Sequence, residues 1–151
     1  MGRMYTVQFS EVAVTAQQDL FQIEALVVPA ILHGVFLSQT TDVGDAAAEN
    51  LSIRFHRVTD AVTNDLAEVK LDPGSAAANA DLAVNETTEL VTGLEVIHSE
   101  AWNIAMPFVW MPPPEMRIIV PIGNVVCVNL NTTPADSVTM SGTLYFEEFG
   151  A

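Results

Sequence analysis

The sequence predicts an all-β protein, an antiparallel β-sandwich of the jelly-roll type with about eight strands and a long middle excursion. Stretches in which apolar and polar residues alternate with a period of two are typical of strands with one face on a core. These stretches recur at intervals of roughly 10–15 residues and are separated by turns rich in Gly, Pro and Asn. Helical periodicity is nearly absent, which favours a sandwich over a mixed fold.

The composition is that of a single compact domain with an unusually uncharged surface. A chain of 151 residues is long enough for one self-sufficient core, so we assign residues 1–151 to one domain. Half of the residues are hydrophobic and 16% are charged, against about 25% in typical soluble domains. This low charge density favours a surface that is partly covered by copies of the same chain or by a partner.

The net charge argues against two classes of partner. Nineteen acidic and five basic residues give a formal net charge of −14. Such a chain repels phosphates and anionic lipid headgroups, so we predict neither nucleic acid nor membrane as a partner. The scattered acids are interpreted as a solvated surface. The longest apolar run, residues 25–32, contains a proline and is far shorter than the ~20 residues of a membrane helix. We expect a protein made in a cytoplasm.

The N-terminal half contains three predicted strands. In residues 4–16 the apolar positions shift by one near Ser10–Glu11, which predicts a β-bulge. Residues 17–19 are predicted to form a turn, and residues 31–41 and 51–56 form the next two strands. Residues 59–90 form the excursion, with Val69 and Leu71 in a short strand. A loop of this length usually carries a function or a partner contact.

The C-terminal half contains the clearest strand patterns. After a strand at residues 90–99, residues 102–110 carry large apolar side chains at every even position, and residues 137–147 alternate along their whole length. Two stretches between them are more evenly apolar, which predicts burial on both faces. They are residues 117–120 and 124–130.

Residue patterns of catalytic or metal sites are missing, so we predict a protein that is not an enzyme and has no cofactor and no metal. His33, His56 and His98 lie in three different predicted strands, and a cupin-like metal enzyme would need them to converge. Residues 42–45 superficially resemble a calcium loop but lack its alternate-position ligands. The lone Cys127 cannot form an intrachain disulfide and is interpreted as a small buried hydrophobe.

The end of the strand at residues 102–110 has two interpretations. Its aromatic side chains can fill the core, or they can anchor a subunit contact together with the proline-rich connection that follows. Proline cannot donate to a central ladder, so residues 111–116 should form an extended connection. Aromatic, methionine and proline side chains at a strand exit suit an interface, and Arg117 could pair with an acid of a neighbouring copy. The predicted contact residues are Trp110, Met111, Pro112, Pro113, Pro114, Arg117 and, near the N-terminus, Tyr5.

The order of these elements resembles the small β-sandwich or jelly-roll head decoration (cement) proteins of tailed bacteriophages. The resemblance is carried by the strand that begins at Met4, the turn-rich middle, the strand at residues 102–110 with its proline exit, and the terminal strand at 138–149. It implies a structural virion protein on the capsid surface. It also implies a homotrimer that binds the major capsid protein and stabilises the phage head, without an active site.

A carbohydrate- or receptor-binding jelly-roll module is the alternative function. In that case an exposed Trp110 or Tyr145 would stack on a sugar ring. A cupin-like enzyme that uses the three histidines is the third hypothesis, and it requires them to lie together.

Overall fold

The computed structural model describes residues 2–40 and 49–149 and confirms the predicted antiparallel β-sandwich. The described residues contain eleven strands rather than about eight, because three short strands are added to the two sheets. One 3₁₀ turn, Pro114–Met116, lies between β8 and β9. The strands are β1 (Arg3–Val14), β2 (Gln18–Glu24), β3 (Ala30–Gln39), β4 (Asn50–Val58), β5 (Val69–Lys70), β6 (Asp81–Glu86), β7 (Glu95–Asn103), β8 (Phe108–Trp110), β9 (Ile119–Val120), β10 (Val125–Leu130) and β11 (Val138–Glu148).

The strands form two sheets that enclose one main core. Sheet A has the order β5-β1-β11-β3-β8, with β9 also paired to β3, and sheet B has the order β6-β2-β10-β4-β7. Without β5, β6 and β9, the orders are β1-β11-β3-β8 and β2-β10-β4-β7. Successive strands of these eight therefore alternate between the sheets, except that β4 and β7 pair within sheet B, and this is the double Greek key of an eight-stranded jelly roll. No helix among residues 2–40 and 49–149 has the length and apolar character needed to cross a membrane.

Strand β1 contains the predicted bulge. Its register against β11 shifts between Phe9 and Val12, and Glu11 takes a left-handed backbone conformation with a φ of 53°. The Glu11 N–H leaves the ladder and donates to Ser141 Oγ at 3.0 Å. The shift keeps apolar side chains on the core on both sides of the irregularity.

Two of the C-terminal strand predictions are confirmed and one is wrong. In β11 the inward positions Val138, Met140, Leu144 and Phe146 are buried, as the alternation predicts. All six residues of β10 are buried, because loops cover the outside of sheet B. Ile119 in β9 is 52% exposed, so the prediction that residues 117–120 are buried on both faces is wrong.

The predicted continuous strand at residues 102–110 is wrong in one respect. The chain leaves sheet B after Asn103, turns, and enters sheet A at Phe108. Within the turn, the Met106 N–H donates to Asn103 O at 3.0 Å and the Ala105 N–H donates to Asn103 Oδ1 at 3.0 Å. The even-numbered side chains before and after the turn are buried in the same core, whereas Met106, within the turn, is 65% exposed.

Two predicted boundaries also move. Residues 17–19 were expected to form a turn, but β2 begins at Gln18, and Gln18 and Asp19 are buried. The strand expected at residues 90–99 begins at Glu95, and residues 87–94 form a loop that we call the flap. Local composition predicts turns at these polar residues, whereas long-range contacts determine where the strands begin.

The excursion folds back over sheet B. It contains β5, as predicted near Val69, and also β6. Val62 together with Leu90 and Leu94 packs on the outward residues of sheet B and forms a second, smaller hydrophobic cluster. These parts of the excursion and flap therefore cover sheet B of their own subunit. The calcium loop considered at residues 42–45 lies outside the described residues.

Candidate functional site

The outside of sheet A carries an apolar surface that we call the sheet A patch: Met4, Gly34, Phe36, Val109, Met111 and Tyr145. Val109 is paired with Phe36 across β8 and β3, and Gly34 is paired with Tyr145 across β3 and β11. Paired residues of neighbouring strands project on the same side of a sheet. The patch is therefore continuous across three strands.

The geometry of the patch is that of a shallow contact surface rather than a binding cleft. Its centre is a hollow of about 230 Å³, bordered on one side by His33. The rings of Phe36 and Tyr145 meet edge to face with centroids 5.7 Å apart. Gly34 lies beneath Met111, and a Cβ on Gly34 would come within 3.4 Å of the Met111 side chain. Met111 is 67% exposed and forms the most prominent part of the patch.

The predicted contact residues divide between core and surface. Tyr5 is fully buried, its ring stacks on Phe146, and its hydroxyl donates to Ala76 O at 3.1 Å. Trp110 is only 8% exposed, and its ring lies 4.6 Å from that of Phe55. Neither side chain is available to a partner in the folded subunit. The prediction of partner contacts therefore stays with Met111, the three prolines and Arg117.

The proline-rich connection extends the patch toward one edge of the sandwich. Pro113 and Pro114 are exposed and Pro112 is half-buried, and Met116 is 69% exposed. Arg117 is half-buried, and its Nε is a buried donor without a hydrogen-bond partner among the described residues.

The burial of Trp110 also bears on carbohydrate stacking. A sugar ring needs an exposed aromatic face, so the expectation that Trp110 is exposed is wrong. Tyr145 is half-buried and turns its ring toward Phe36 within the sheet A patch. Its ring is therefore part of an apolar surface rather than a separate stacking platform.

The three histidines occupy three separate environments. His33 lies on the outside of sheet A and bonds Glu147 at 2.8 Å, and His98 lies on the edge strand β7, 3.4 Å from Glu100. His56 is fully buried on the outside of sheet B. Among the described residues, His56 lies close enough to Asp19 and Cys127 to share an ion with them. The other two histidines are not part of this group. The convergence required by a cupin-like site is not observed.

Asp19, His56 and Cys127 form a buried polar cluster that the sequence analysis missed. They come from the three central strands of sheet B, where Cys127 is paired with His56 on β4 and with Gln22 on β2. One ligand atom from each of the three residues lies within 4.8 Å of the others, and all three residues are inaccessible to solvent. Only the sheet order β2-β10-β4 brings them together, since they are far apart in sequence.

The cluster does not have the properties of a nucleophilic site. Burial raises the pKa of the Cys127 thiol strongly, and the negative charge of Asp19 raises it further. Burial lowers the pKa of His56 below its ordinary value of 6.5, against the opposing influence of Asp19. A protonated, inaccessible thiol is a poor nucleophile at neutral pH.

Carboxylates attach the excursion to the body of the subunit through its backbone. The Leu90 N–H donates to Asp19 Oδ2 at 2.9 Å and the Val62 N–H donates to Glu24 Oε2 at 2.7 Å. The Asn79 and Ala80 N–H groups donate to Glu148 Oε1 at 2.6 and 2.8 Å. Part of the acidic composition therefore has a structural role, and the interpretation of the acids as only a solvated surface is wrong for these residues.

Asp60 provides an exposed example with a predictable pH dependence. Hydrogen bonds from Thr92 lower the pKa of the Asp60 carboxyl below its ordinary value of 3.8. The Asp60 carboxyl therefore binds its proton more tightly in the unfolded chain than in the folded protein. The stabilisation is present above pH 4 and is lost as the pH falls through the lower pKa of the folded state. We expect Asp60→Asn to reduce stability slightly at pH 7. Urea unfolding should show the difference from wild type shrinking as the pH falls below 3.8, and a constant difference would contradict this.

Comparison of the chain with protein-family models, with curated proteins and with solved structures finds no match. The functional conclusion therefore rests on the two regions described above. The sheet A patch offers an accessible surface without ligand-binding depth. The buried cluster offers donor atoms without an open path for a substrate.

Proposed function

We propose that the protein is a structural assembly protein, a capsid decoration or cement protein that forms homotrimers and stabilises a phage head by binding its major capsid protein. The observation that carries the proposal is the difference between the two outer faces of the sandwich. The excursion and flap cover sheet B, whereas sheet A presents the sheet A patch. A neighbouring subunit placed on sheet A would cover this patch.

The exposed apolar side chains support this assignment. Val109, Met111 and Met116 are each more than half exposed, on one strand end and the connection that follows it. Among the described residues, the hydrophobic clusters are the central core and the small cluster outside sheet B, so nothing comparable covers sheet A. Contiguous exposed apolar surface of this kind marks protein contacts, and methionine is enriched in them.

The distribution of charge favours the same face for contact between copies. Subunits that each carry a charge of −14 repel one another at long range. The sheet A patch contains no charged side chain, and the carboxylate of Glu147 at its border is paired with His33. Arg117 lies beyond the patch and is half-buried, and its guanidinium could pair with a carboxylate of a neighbouring copy.

The mass of the particle in solution tests the trimer. We expect wild type to sediment as a trimer and Met111→Glu to sediment as a monomer, because the substitution would bury three unpaired carboxylates in an acidic assembly. An increase of about a hundredfold in the dissociation constant is expected, which corresponds to about 2.7 kcal/mol. Sedimentation velocity over a range of concentrations measures it.

Val91→Glu is the matched control, because Val91 is 56% exposed on the flap, which covers the opposite sheet. This variant should remain trimeric. Co-sedimentation with phage heads that lack their decoration protein then tests the capsid partner, and binding should be lost in Met111→Glu and retained in Val91→Glu. A wild-type protein that is monomeric and binds no phage heads would contradict the proposal.

A further inference from the structure

The buried cluster on sheet B has the arrangement of a metal site, and His56 provides the first reason. Its Nε2 lies 3.1 Å from the carbonyl oxygen of Leu90 in the flap, and a carbonyl can only accept, so Nε2 carries the hydrogen. The lone pair is then on Nδ1, which is buried and has no hydrogen-bond partner among residues 2–40 and 49–149. Metal-binding histidines commonly donate their other N–H to a backbone carbonyl in this way.

Asp19 provides the second reason. Its carboxylate is fully buried, and among the described residues no Lys or Arg lies within salt-bridge distance of it. It accepts hydrogen bonds from the side chains of Gln22 and Asn129 and from the Leu90 N–H, at 2.8–2.9 Å. These donors hold the carboxylate in a fixed orientation, but none of them neutralises its charge. Buried charges are normally paired or bound to a metal.

Cys127 completes the set. Its sulfur lies within 4.8 Å of the ligand atoms of the other two residues, and its strand is paired with their strands. Thiolate, imidazole and carboxylate are the three ligand types that proteins use for zinc. The main alternative role of the cysteine is a plain hydrophobic contact, and that role does not account for the unpartnered nitrogen of His56.

We propose that Asp19, His56 and Cys127 bind one zinc-class divalent cation through Asp19 Oδ, His56 Nδ1 and Cys127 Sγ. Binding replaces the thiol proton, which is released to solvent, and it forms metal–sulfur, metal–nitrogen and metal–oxygen bonds. The thiolate and the carboxylate together balance the two positive charges of the ion, so the buried complex is neutral. Tetrahedral bonds of the usual lengths separate the donor atoms by roughly 3.5 Å, so atoms within 4.8 Å need to move by about 1 Å.

The proposed ion is structural and independent of the capsid function. The Leu90 N–H donates to Asp19, and the Leu90 carbonyl accepts from His56. By holding both side chains, the ion would fix the flap against the three central strands of sheet B. Metal binding that occurs only in the folded state adds directly to its stability. Removal of the metal should therefore lower the melting temperature without altering the sheet A patch.

Metal content and cobalt spectroscopy on the full chain test the site. After chelator treatment and dialysis, we expect wild type to bind one equivalent of Zn²⁺ by elemental analysis. Its Tm should rise by roughly 5–10 °C at a free zinc concentration a hundredfold above the dissociation constant. Co²⁺ in its place should give a thiolate-to-cobalt charge-transfer band and the intense visible bands of a tetrahedral site.

The variants separate this site from adventitious binding. Cys127→Val keeps an apolar side chain of similar size and should lose the charge-transfer band and the zinc-dependent Tm shift, as should His56→Gln. His98→Gln, which changes the half-buried histidine on β7 outside the cluster, should retain both. If a variant fails to fold, the cobalt spectrum of the wild type still shows whether the thiolate binds the metal. Absence of one equivalent of metal with no thiolate band, or metal binding unchanged in Cys127→Val, would overturn the proposal.

Discussion

Trp110→Ala is expected to destabilise the subunit itself by about 3–5 kcal/mol, a large share of the stability of an ordinary domain. The indole is 8% exposed and packs against Phe55 with ring centroids 4.6 Å apart, near the ring of His98. Truncation leaves a cavity between the two sheets that the rigid strands cannot close. Thermal unfolding should show a fall in Tm of roughly 10 °C.

Met111→Ala is the matched comparison, because the neighbouring side chain is 67% exposed. It should change the free energy of unfolding of the isolated subunit by less than about 0.5 kcal/mol. The pair distinguishes a core residue from an interface residue at adjacent positions. If Trp110→Ala weakened only the association of subunits and left the stability of the subunit intact, the burial of this indole would be refuted.

Glu148→Ala is expected to have a similarly large effect, about 3–5 kcal/mol, for a different reason. The carboxylate is fully buried and accepts hydrogen bonds from the backbone N–H groups of Asn79 and Ala80 and from the Asn79 side chain. Without it, the buried Ala80 N–H and the part-buried donors of Asn79 lose their acceptor. Each such group costs about 1–3 kcal/mol. Urea unfolding measures the loss.

Glu148→Gln serves as the partial replacement, because its amide oxygen can still accept from the backbone. We expect this variant to lose less than half as much stability as the alanine variant. Exposed Glu115→Ala should be neutral within about 0.5 kcal/mol. Hydrogen exchange localises the effect, since the amide protons of Asn79 and Ala80 should lose protection first in Glu148→Ala. Uniform loss of protection across both sheets would argue against a local role for the carboxylate.

The strands whose two faces differ in polarity could be predicted from the sequence. The bulge in β1 and the alternation of β11 are local patterns, and both appear where expected. The corner between β7 and β8 was hidden because Trp102 and Trp110 point into one core from opposite sheets. The local signals of that corner were Asn103 and Pro107, and the unbroken alternation outweighed them.

The two candidate sites differ in how far they could be predicted. The prediction that residues 111–116 lie outside the paired strands is confirmed, because proline cannot enter a central ladder, but Pro114–Met116 form a 3₁₀ turn rather than extended chain. Asp19 was assigned to a turn because it follows two glutamines, and its hydrogen-bond partners at Leu90 and Asn129 are distant in sequence. One signal was present: Asn129 is a polar residue inside an otherwise apolar strand, which implies a buried partner.

The attachment of the excursion through backbone N–H groups has a consequence for sequence divergence. Asp19, Glu24 and Glu148 recognise peptide groups, which every residue except proline provides. The side chains at Asn79 and Leu90 can therefore change among relatives of this protein without loss of docking, provided that the replacement fits. Selection would preserve the three acids and would exclude proline at the positions whose N–H groups donate to them. Excursions with little sequence similarity could thus preserve one architecture.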